Sequence, residues 1–275
     1  MKHRLLAAAL TIGLAIGAYG ELPLKPLNLP AGAHHPVLSP DGTTLLYSTD
    51  THDGLKAMNM ATGETSLIDA GAAAGFNPVF TTDSRTVYYR TAEMKDNLLY
   101  RDVRSYSFDT RNMHKVSPMS RDKVDMAAFR GGNYAVDDYN TIRVSLDGKD
   151  VSVNPIADSH SYLWASLSAD NKQLLFSEPF KGVFIADADG SNARRLLRKG
   201  DNPTWAGEHT IVAIITHDDG YVVLDSRLVA VDTRSGEITY LTPEDMLVGE
   251  ATAAGDGTVV VADVTGNMFI FNLND

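Results

Sequence analysis

The 275-residue sequence contains no cysteine, and this absence removes several kinds of chemistry at once. Without thiols there is no disulfide, no thiolate metal site and no cysteine nucleophile. Basic residues are also scarce, since 24 Lys and Arg stand against 35 Asp and Glu, a formal net charge of −11. Because nucleic acids and anionic membrane surfaces select clustered cations, we expect neither of them as a partner.

Helical stripes and familiar catalytic motifs are missing as well. After Gly20, no stretch of twelve or more residues has the spacing of an amphipathic helix, and no segment is long and apolar enough to cross a bilayer. The sequence lacks a Gly-x-Ser-x-Gly elbow, a phosphate-binding loop, a His-Glu-x-x-His motif and a dinucleotide fingerprint. A parallel α/β fold is disfavoured because it needs helices between its strands.

Residues 1–20 have the pattern of a secretory signal peptide. Lys2 and Arg4 give a positive start, residues 5–18 carry no charge, and small residues follow at the cleavage positions. The alternative is a buried or membrane-spanning helix, but a span needs about 20 apolar residues. We therefore predict export to the periplasm or cell envelope, or secretion, with residues 21–275 as the mature domain.

The rest of the chain consists of short strand-like runs separated by Gly, Asp, Asn and Pro. Six units share a small or Pro position, a short strand, a turn and a second strand, and they start at Pro36, Pro78, Ala127, Ala165, Pro203 and Ala251. The mean spacing of about 43 residues matches the ~40–45 residues of a four-stranded propeller blade. A second series of turns, out of phase with the first, lies at residues 62–64, 110–112, 147–149, 189–191 and 235–237.

These two series predict an all-β fold, a single six-bladed β-propeller with four-stranded antiparallel blades. The second series fits the hairpins between the third and fourth strands of five blades. The sixth unit stops after three strands, while residues 22–29 precede the first unit. We therefore expect the N-terminal strand to complete the last blade, which removes a free sheet edge.

The run Leu38-Ser39-Pro40-Asp41-Gly42, followed by an apolar strand, resembles the WD40-like repeat of TolB-type propellers. Residues 185–196 resemble the third and fourth strands of that repeat. The resemblance covers essentially the whole mature chain and implies a six-bladed propeller. It implies no single function, because such propellers serve as docking discs, peptidase gates and enzyme scaffolds. Asp41 itself is expected to cap its own turn.

A propeller sorts its loops onto two faces. We call the face with the loops between strands one and two, and between strands three and four, the first face. The second face carries the loops between strands two and three and the connections between blades. The candidate ligand- or partner-binding residues all fall in second-face loops, namely His34, His35, His52, Asp53, Asp138, Tyr139, His160, His217, Asp218 and Asp219. Histidine binds metals and transfers protons near neutral pH, although solvated turn residues are an equally simple reading of these acids.

Besides a purely structural role in a larger surface complex, with the binding surface on the blade edges, two functions remain open from the sequence. The first is a non-enzymatic scaffold or recognition module, a monomer without a cofactor, that binds a protein, a small ligand or a glycan of the cell envelope over one face. The second is a carbohydrate-directed hydrolase or lyase that uses a His/Asp cluster at the channel mouth, with a divalent metal as an option.

Overall fold

The structure is a computed structural model that describes residues 23–159 and 161–275. Over these ranges the regular structure consists of β-strands and one short 3-10 helix, Ala127–Arg130. No helix in the described ranges has the length and apolar character that a bilayer span requires. The predicted signal peptide and His160 lie outside the described residues.

The strands form six antiparallel sheets, which are the blades of a propeller. After β1 (Lys25–Pro26), blade one contains β2 (His34–Leu38), β3 (Thr44–Ser48), β4 (Leu55–Asn59) and β5 (Thr65–Asp69). Blade two contains β6 (Val79–Phe80), β7 (Thr86–Lys95), β8 (Leu98–Ser107) and β9 (Asn112–Lys115). Blade three contains β10 (Tyr134–Asp138), β11 (Thr141–Leu146) and β12 (Lys149–Val153).

The second half of the ring repeats the arrangement. Blade four contains β13 (Leu163–Leu167), β14 (Gln173–Glu178), β15 (Gly182–Asp187) and β16 (Arg194–Leu197). Blade five contains β17 (Asp201–Trp205), β18 (Thr210–Asp218), β19 (Val223–Asp232) and β20 (Ile238–Tyr240). Blade six contains β21 (Val248–Ala253), β22 (Thr258–Asp263) and β23 (Met268–Asn272). The predicted all-β, six-bladed propeller is confirmed.

The N-terminal strand closes the ring, as the sequence predicts. β1 pairs antiparallel with β23, with Lys25 opposite Ile270 and Pro26 opposite Phe269. The Leu27 amide then donates a hydrogen bond to the Met268 carbonyl at 2.8 Å. The last sheet therefore has the order β1-β23-β22-β21, and its fourth strand comes from the start of the described chain.

Blade three departs from the pattern, because its sheet has three strands in the described part of the chain, whereas the other five sheets have four. The Asp147–Gly148 turn joins β11 to β12, which makes them the third and fourth strands and β10 the second. The segment before β10, where a first strand is expected, carries the 3-10 helix instead. Its Met-Ala-Ala-Phe-Arg sequence favours helix over strand, and Gly131 and Gly132, both at positive φ, end the helical turn.

The core lies between neighbouring blades rather than at the centre of the ring. Large side chains such as Tyr47, Tyr89 and Phe176 are fully buried in these layers. The cluster between blades two and three is the smallest, with Val79, Val103 and Met126 as its buried members. Because the irregular segment of blade three supplies few apolar side chains, this junction has the thinnest core among the described residues.

Candidate functional site on the second face

The first strands begin at the second face with a bulge. The pairing of β2, β13 and β17 with their neighbours shifts register at this end. The backbone is left-handed at His35, Asn77, Trp164 and Asn202, with φ between 49° and 57°. Such a conformation is uncommon for residues other than glycine, and bulges redirect side chains beside functional sites. The four residues occupy the same position in four blades, around the second-face mouth of the channel.

His35 is joined to a residue that the sequence analysis missed, Glu250 at the start of blade six. The His35 Nδ1 lies 2.5 Å from Glu250 Oε1, and the His35 amide donates to Glu250 Oε2 at 2.8 Å. The His35 Nε2 lies 3.2 Å from the Asp50 carbonyl oxygen. Both ring nitrogens of His35 therefore face oxygen atoms. Blades one and six are tied together at the channel mouth.

His52 lies directly on this pair. Its ring stacks on His35 with centroids 3.6 Å apart and an interplanar angle of 18°, and it meets Phe76 edge-on at 5.0 Å. Burial lowers the pKa of His52, and the nearby His35 ring lowers it further. The His52 Nδ1 is buried without a hydrogen-bond partner in the described structure. The lowered pKa favours the neutral imidazole of His52 beside the His35–Glu250 pair.

Two other second-face histidines that the structure describes, His34 and His217, do not join this cluster. His34 lies 6.0 Å from His35, centroid to centroid, and its ring is tilted away at 46°. His217 is 3.4 Å from Asp225 in blade five, and the two form a separate pair. Within the described ranges, no three His, Asp or Glu side chains are grouped so that they could hold a metal ion. The structure thus offers no described donor set for the metal of the second sequence hypothesis.

The predicted acids serve their own loops. Asp218 accepts from the Gly220 amide, and Asp219 accepts from the amides of Tyr221 and Val222. Asp53 accepts from the Ala73 amide at 3.1 Å and thereby joins two second-face loops. These contacts fit the turn-forming interpretation of the acidic residues.

Asp138 and Tyr139 form the tip of the β10–β11 hairpin. Asp138 lies 3.7 Å from Lys123 Nζ, and that ammonium group also lies 5.2 Å from the centre of the Tyr139 ring. Tyr139 remains 80% exposed despite this contact. The hairpin therefore presents an aromatic face to solvent beside a cation.

Other second-face hairpins also expose large apolar side chains. Phe180, between β14 and β15, is fully exposed, and Tyr221, between β18 and β19, is 95% exposed. Further exposed apolar residues at these tips are Met94, Leu98, Leu99, Val222, Val223, Leu224 and Val264. Among the residues that the structure describes, the first-face loops carry no exposed large hydrophobic side chain. Turn chemistry does not require such residues, so their concentration on one face indicates a binding surface.

A groove of about 430 Å³ opens on the second face between blades two and three. Its polar wall combines Asn77 and three cations with three carboxylates, namely Arg90, Lys123, Arg143, Asp125, Asp137 and Asp138. The Arg90 guanidinium lies 5.6 Å from the centre of the Phe76 ring, and its Nε is buried without a hydrogen-bond partner in the described structure. The groove exists because blade three lacks a regular first strand at this junction.

The position immediately before each repeat unit could have pointed to Glu250, although the first residues of the units could not. Glu250 immediately precedes the sixth unit, which starts at Ala251, just as His35 immediately precedes the first unit at Pro36. The same position holds Asn77, Trp164 and Asn202 in three other units. Reading this position around the ring would have identified the channel mouth. Phe180 could have been found as an aromatic residue in a turn that is otherwise polar.

Comparisons with known proteins support the fold and no closer relationship. Neither a family model nor a curated protein matches the sequence. The tricorn protease is similar with a TM-score of 0.57 and 15% identity, over 90% of this chain and 26% of that one. A protein of unknown function from Bacteroides thetaiotaomicron is similar with a TM-score of 0.56 and 12% identity, over 90% of this chain and 72% of that one. TolB from Acinetobacter baumannii is similar at 14% identity and a TM-score of 0.35, over 87% of this chain and 54% of that one.

Proposed function

We propose that this propeller is an exported recognition module that binds a protein partner across its second face. The observation that carries the proposal is the set of exposed aromatic and aliphatic side chains on the hairpin tips of that face. The proposal includes export, because residues 1–20 have the pattern of a signal peptide.

A protein suits this surface better than a small molecule because the apolar tips are spread over several blades. Tyr139, Phe180 and Tyr221 belong to blades three, four and five. Tyrosine and phenylalanine bury large areas at a low cost in side-chain entropy, and such residues dominate binding energy at interfaces. A small ligand would contact one tip, whereas a protein surface can cover all three.

The long hairpins extend the same surface. The strands of the β7–β8 and β18–β19 hairpins have nine or ten residues, while the other described strands are four to six residues long, apart from β1, β6 and β20. Their tips carry Met94 and Leu99 in blade two and Leu224 in blade five, all exposed. The long hairpins of blades two and five thus add exposed apolar side chains to the second face.

The test compares partner capture by three forms of the chain from extracts of its source cell. The first form is the wild type, and the second carries Tyr139→Ser, Phe180→Ser and Tyr221→Ser. The third, a matched control, carries Leu67→Ser, Met113→Ser and Val151→Ser, exposed apolar residues on outer strands. Quantitative mass spectrometry of envelope and soluble fractions identifies proteins that are enriched with the wild type.

We expect an envelope protein that the wild type and the control retain equally and that the tip variant retains at least about tenfold less, because interface aromatics each contribute a factor of this size or more. The proposal fails if every captured protein is retained equally by the tip variant. It also fails if only the outer-strand variant loses the captured protein.

The His35–Glu250 pair with His52 stacked on it favours a second candidate, a hydrolase or lyase that acts on carbohydrate. A screen of polysaccharides for new reducing ends or unsaturated products tests it. If the candidate holds, His52→Ala lowers the rate about 100-fold or more, as expected for loss of an acid–base group. His217→Ala, which removes a second-face histidine outside the cluster, leaves the rate unchanged. Equal rates for the wild type and His52→Ala would remove this candidate.

A further inference from the structure

The central channel contains a cavity of about 500 Å³ at its first-face end. Residues from all six blades line it, including the loops after the first strands of blades one, four, five and six. This volume is typical of small-molecule sites, which occupy about 300–1,000 Å³. The cavity lies at the opposite end of the ring from the second-face site.

Arg130 is the only charged residue among the described residues that line this cavity. Arg130 is exposed to solvent, although desolvation by the surrounding protein lowers the pKa of its guanidinium. None of the ion pairs or side-chain hydrogen bonds in the described ranges involves the Arg130 guanidinium. A cation that has no carboxylate partner in the lining of a cavity attracts an anionic ligand, even in a chain with a net charge of −11.

Trp205 lines the same cavity from blade five. Ser166 and Thr204 add hydroxyl groups to the lining. A guanidinium can only donate hydrogen bonds, whereas a hydroxyl group can donate and accept them. The lining therefore combines one cation with neutral polar groups, which suits a ligand that carries oxygen acceptors.

The irregular segment of blade three is what brings Arg130 to the channel. The Arg130 carbonyl accepts a hydrogen bond from the Thr82 amide at 2.9 Å, which ties the end of the 3-10 helix to blade two. Phe129 stacks on Tyr88 with centroids 4.7 Å apart. These contacts fix the segment, and an ordinary first strand would have placed a different residue beside the channel. In blade three, the segment that replaces the first strand therefore places Arg130 beside the channel.

We propose that the first-face end of the channel binds a small carboxylate-bearing ligand, with Arg130 as its charge partner. A guanidinium binds a carboxylate through two parallel hydrogen bonds, which are among the strongest that proteins form. A ligand with two carboxylates, or a carboxylate and several hydroxyl groups, fits a cavity whose other polar groups are hydroxyls and amides. The proposal is independent of the second-face function, since it uses different residues at the opposite end of the ring.

The two tryptophans of the chain make a direct binding assay available. Trp164 lies at the second face, so Trp164→Phe leaves Trp205 as the sole tryptophan, in the wall of the cavity. Succinate and galacturonate are titrated separately into the full chain carrying this change. The buffer contains 0.15 M salt, because the Asp-rich first-face turns repel anions over a Debye length of about 8 Å at that ionic strength.

We expect a saturable change in Trp205 fluorescence with at least one of the two acids and no change with dimethyl succinate. Arg130→Gln should weaken binding at least about tenfold. Arg234→Gln is the matched control, because it removes the same charge from an exposed first-face turn. It should leave the dissociation constant unchanged. Arg130→Lys, which keeps the charge, provides a second variant if Arg130→Gln does not fold, and it should bind more weakly than wild type.

A peptide terminus is the other source of a carboxylate, and trialanine with a free or an amidated C-terminus separates the two sources. Binding of free trialanine alone would assign the site to a chain terminus, and binding of succinate or galacturonate would assign it to a small acid. The proposal is overturned if none of these acids binds at millimolar concentration. It is also overturned if Arg130→Gln and Arg130→Lys both bind as tightly as the wild type.

Discussion

The two faces of the propeller use the same kinds of loop in different ways. On the first face, Ser39, Thr81 and Ser168 donate to the aspartate two positions later, at 2.6 to 2.7 Å. Each of these aspartates also accepts from a backbone amide of its own turn, as the sequence predicts for Asp41. On the second face, the corresponding positions carry exposed Tyr139, Phe180 and other apolar side chains. The repeat thus fixes the first face, whereas the second face carries residues that the fold does not need.

The difference between the loops of the two faces indicates where function can be sought in a repeat protein. Residues that satisfy the turn in every blade explain the fold, and residues that vary between blades at equivalent positions explain what the individual protein does. Arg130 does not follow this division between the two faces. It lies at the first-face end of the channel, and it is placed there by the one blade that breaks the repeat.

Part of the second face is constrained by the fold, and a substitution there should reduce stability more than any other change considered below. Gly182 follows the Phe180 turn with φ of +114°, and a Cβ there would lie 2.1 Å from the Leu197 carbonyl oxygen. Gly182→Ala should lower the free energy of unfolding by at least about 2 kcal/mol, through backbone strain and this clash. Chemical denaturation measures it. Gly220→Ala, at φ of +89° with no atom within 4 Å, is the control and should cost less.

On the first face, a buried turn serine should contribute more to stability than an exposed one. Ser168 is buried, donates to Asp170 at 2.7 Å and accepts from the Gln173 amide at 3.0 Å. Ser168→Ala should cost about 1–2 kcal/mol in denaturation experiments, since it leaves a buried amide without its partner. Ser191→Ala removes a similar bond to Asp189 from an exposed turn of the same face and blade. Equal losses for the two variants would contradict the importance of burial.

Acid should affect the two faces in different pH ranges. Hydrogen bonds from Ser168 lower the pKa of Asp170, so its contribution to stability is present above about pH 4 and is lost as pH falls through the lower folded value. Burial lowers the pKa of His52, so stability also falls as pH drops below about 6.5, the unfolded value. Melting temperature against pH should therefore decline in two steps. His52→Gln should remove the upper step alone, and an unchanged upper step would contradict the assignment.

The smallest effects are expected where the second face is free of fold constraints. Tyr139→Ser, Phe180→Ser and Tyr221→Ser should each change the free energy of unfolding by no more than about 0.5 kcal/mol, because these side chains bury little in the free protein. Denaturant titration provides the measurement. A loss above about 1 kcal/mol at any of the three would show that the side chain supports the hairpin itself.

Much of the fold could be predicted because the repeat is written in local turn chemistry. An Asp-Gly pair such as Asp41-Gly42 marks a turn, and the regular spacing of such turns specifies the blades. The closing strand could also be predicted, because an incomplete last blade leaves an edge to be paired. The missing first strand of blade three could not be predicted with the same rule. Its unit, starting at Ala127, was visibly degraded, but a degraded repeat does not reveal which strand is lost.

The candidate sites were harder to predict because they depend on contacts around the ring. His35 and Glu250 are 215 positions apart in sequence and become neighbours only when the propeller closes. The histidine count on one face suggested a site there, yet it could not separate His52, which joins the pair, from His217, which does not. Arg130 gave no signal at all, because its isolation from carboxylates is a property of the folded channel.

The most direct test of the central claim compares the two faces of one blade by crosslinking. The chain has no cysteine, so Tyr221→Cys on the second face and Arg234→Cys on the first face each introduce a unique thiol. Each variant is labelled with a photoreactive maleimide and irradiated in an extract of the source cell. The account predicts a discrete adduct with one protein from Tyr221→Cys and none from Arg234→Cys. The same adduct from Arg234→Cys, or an adduct from that variant alone, would contradict it.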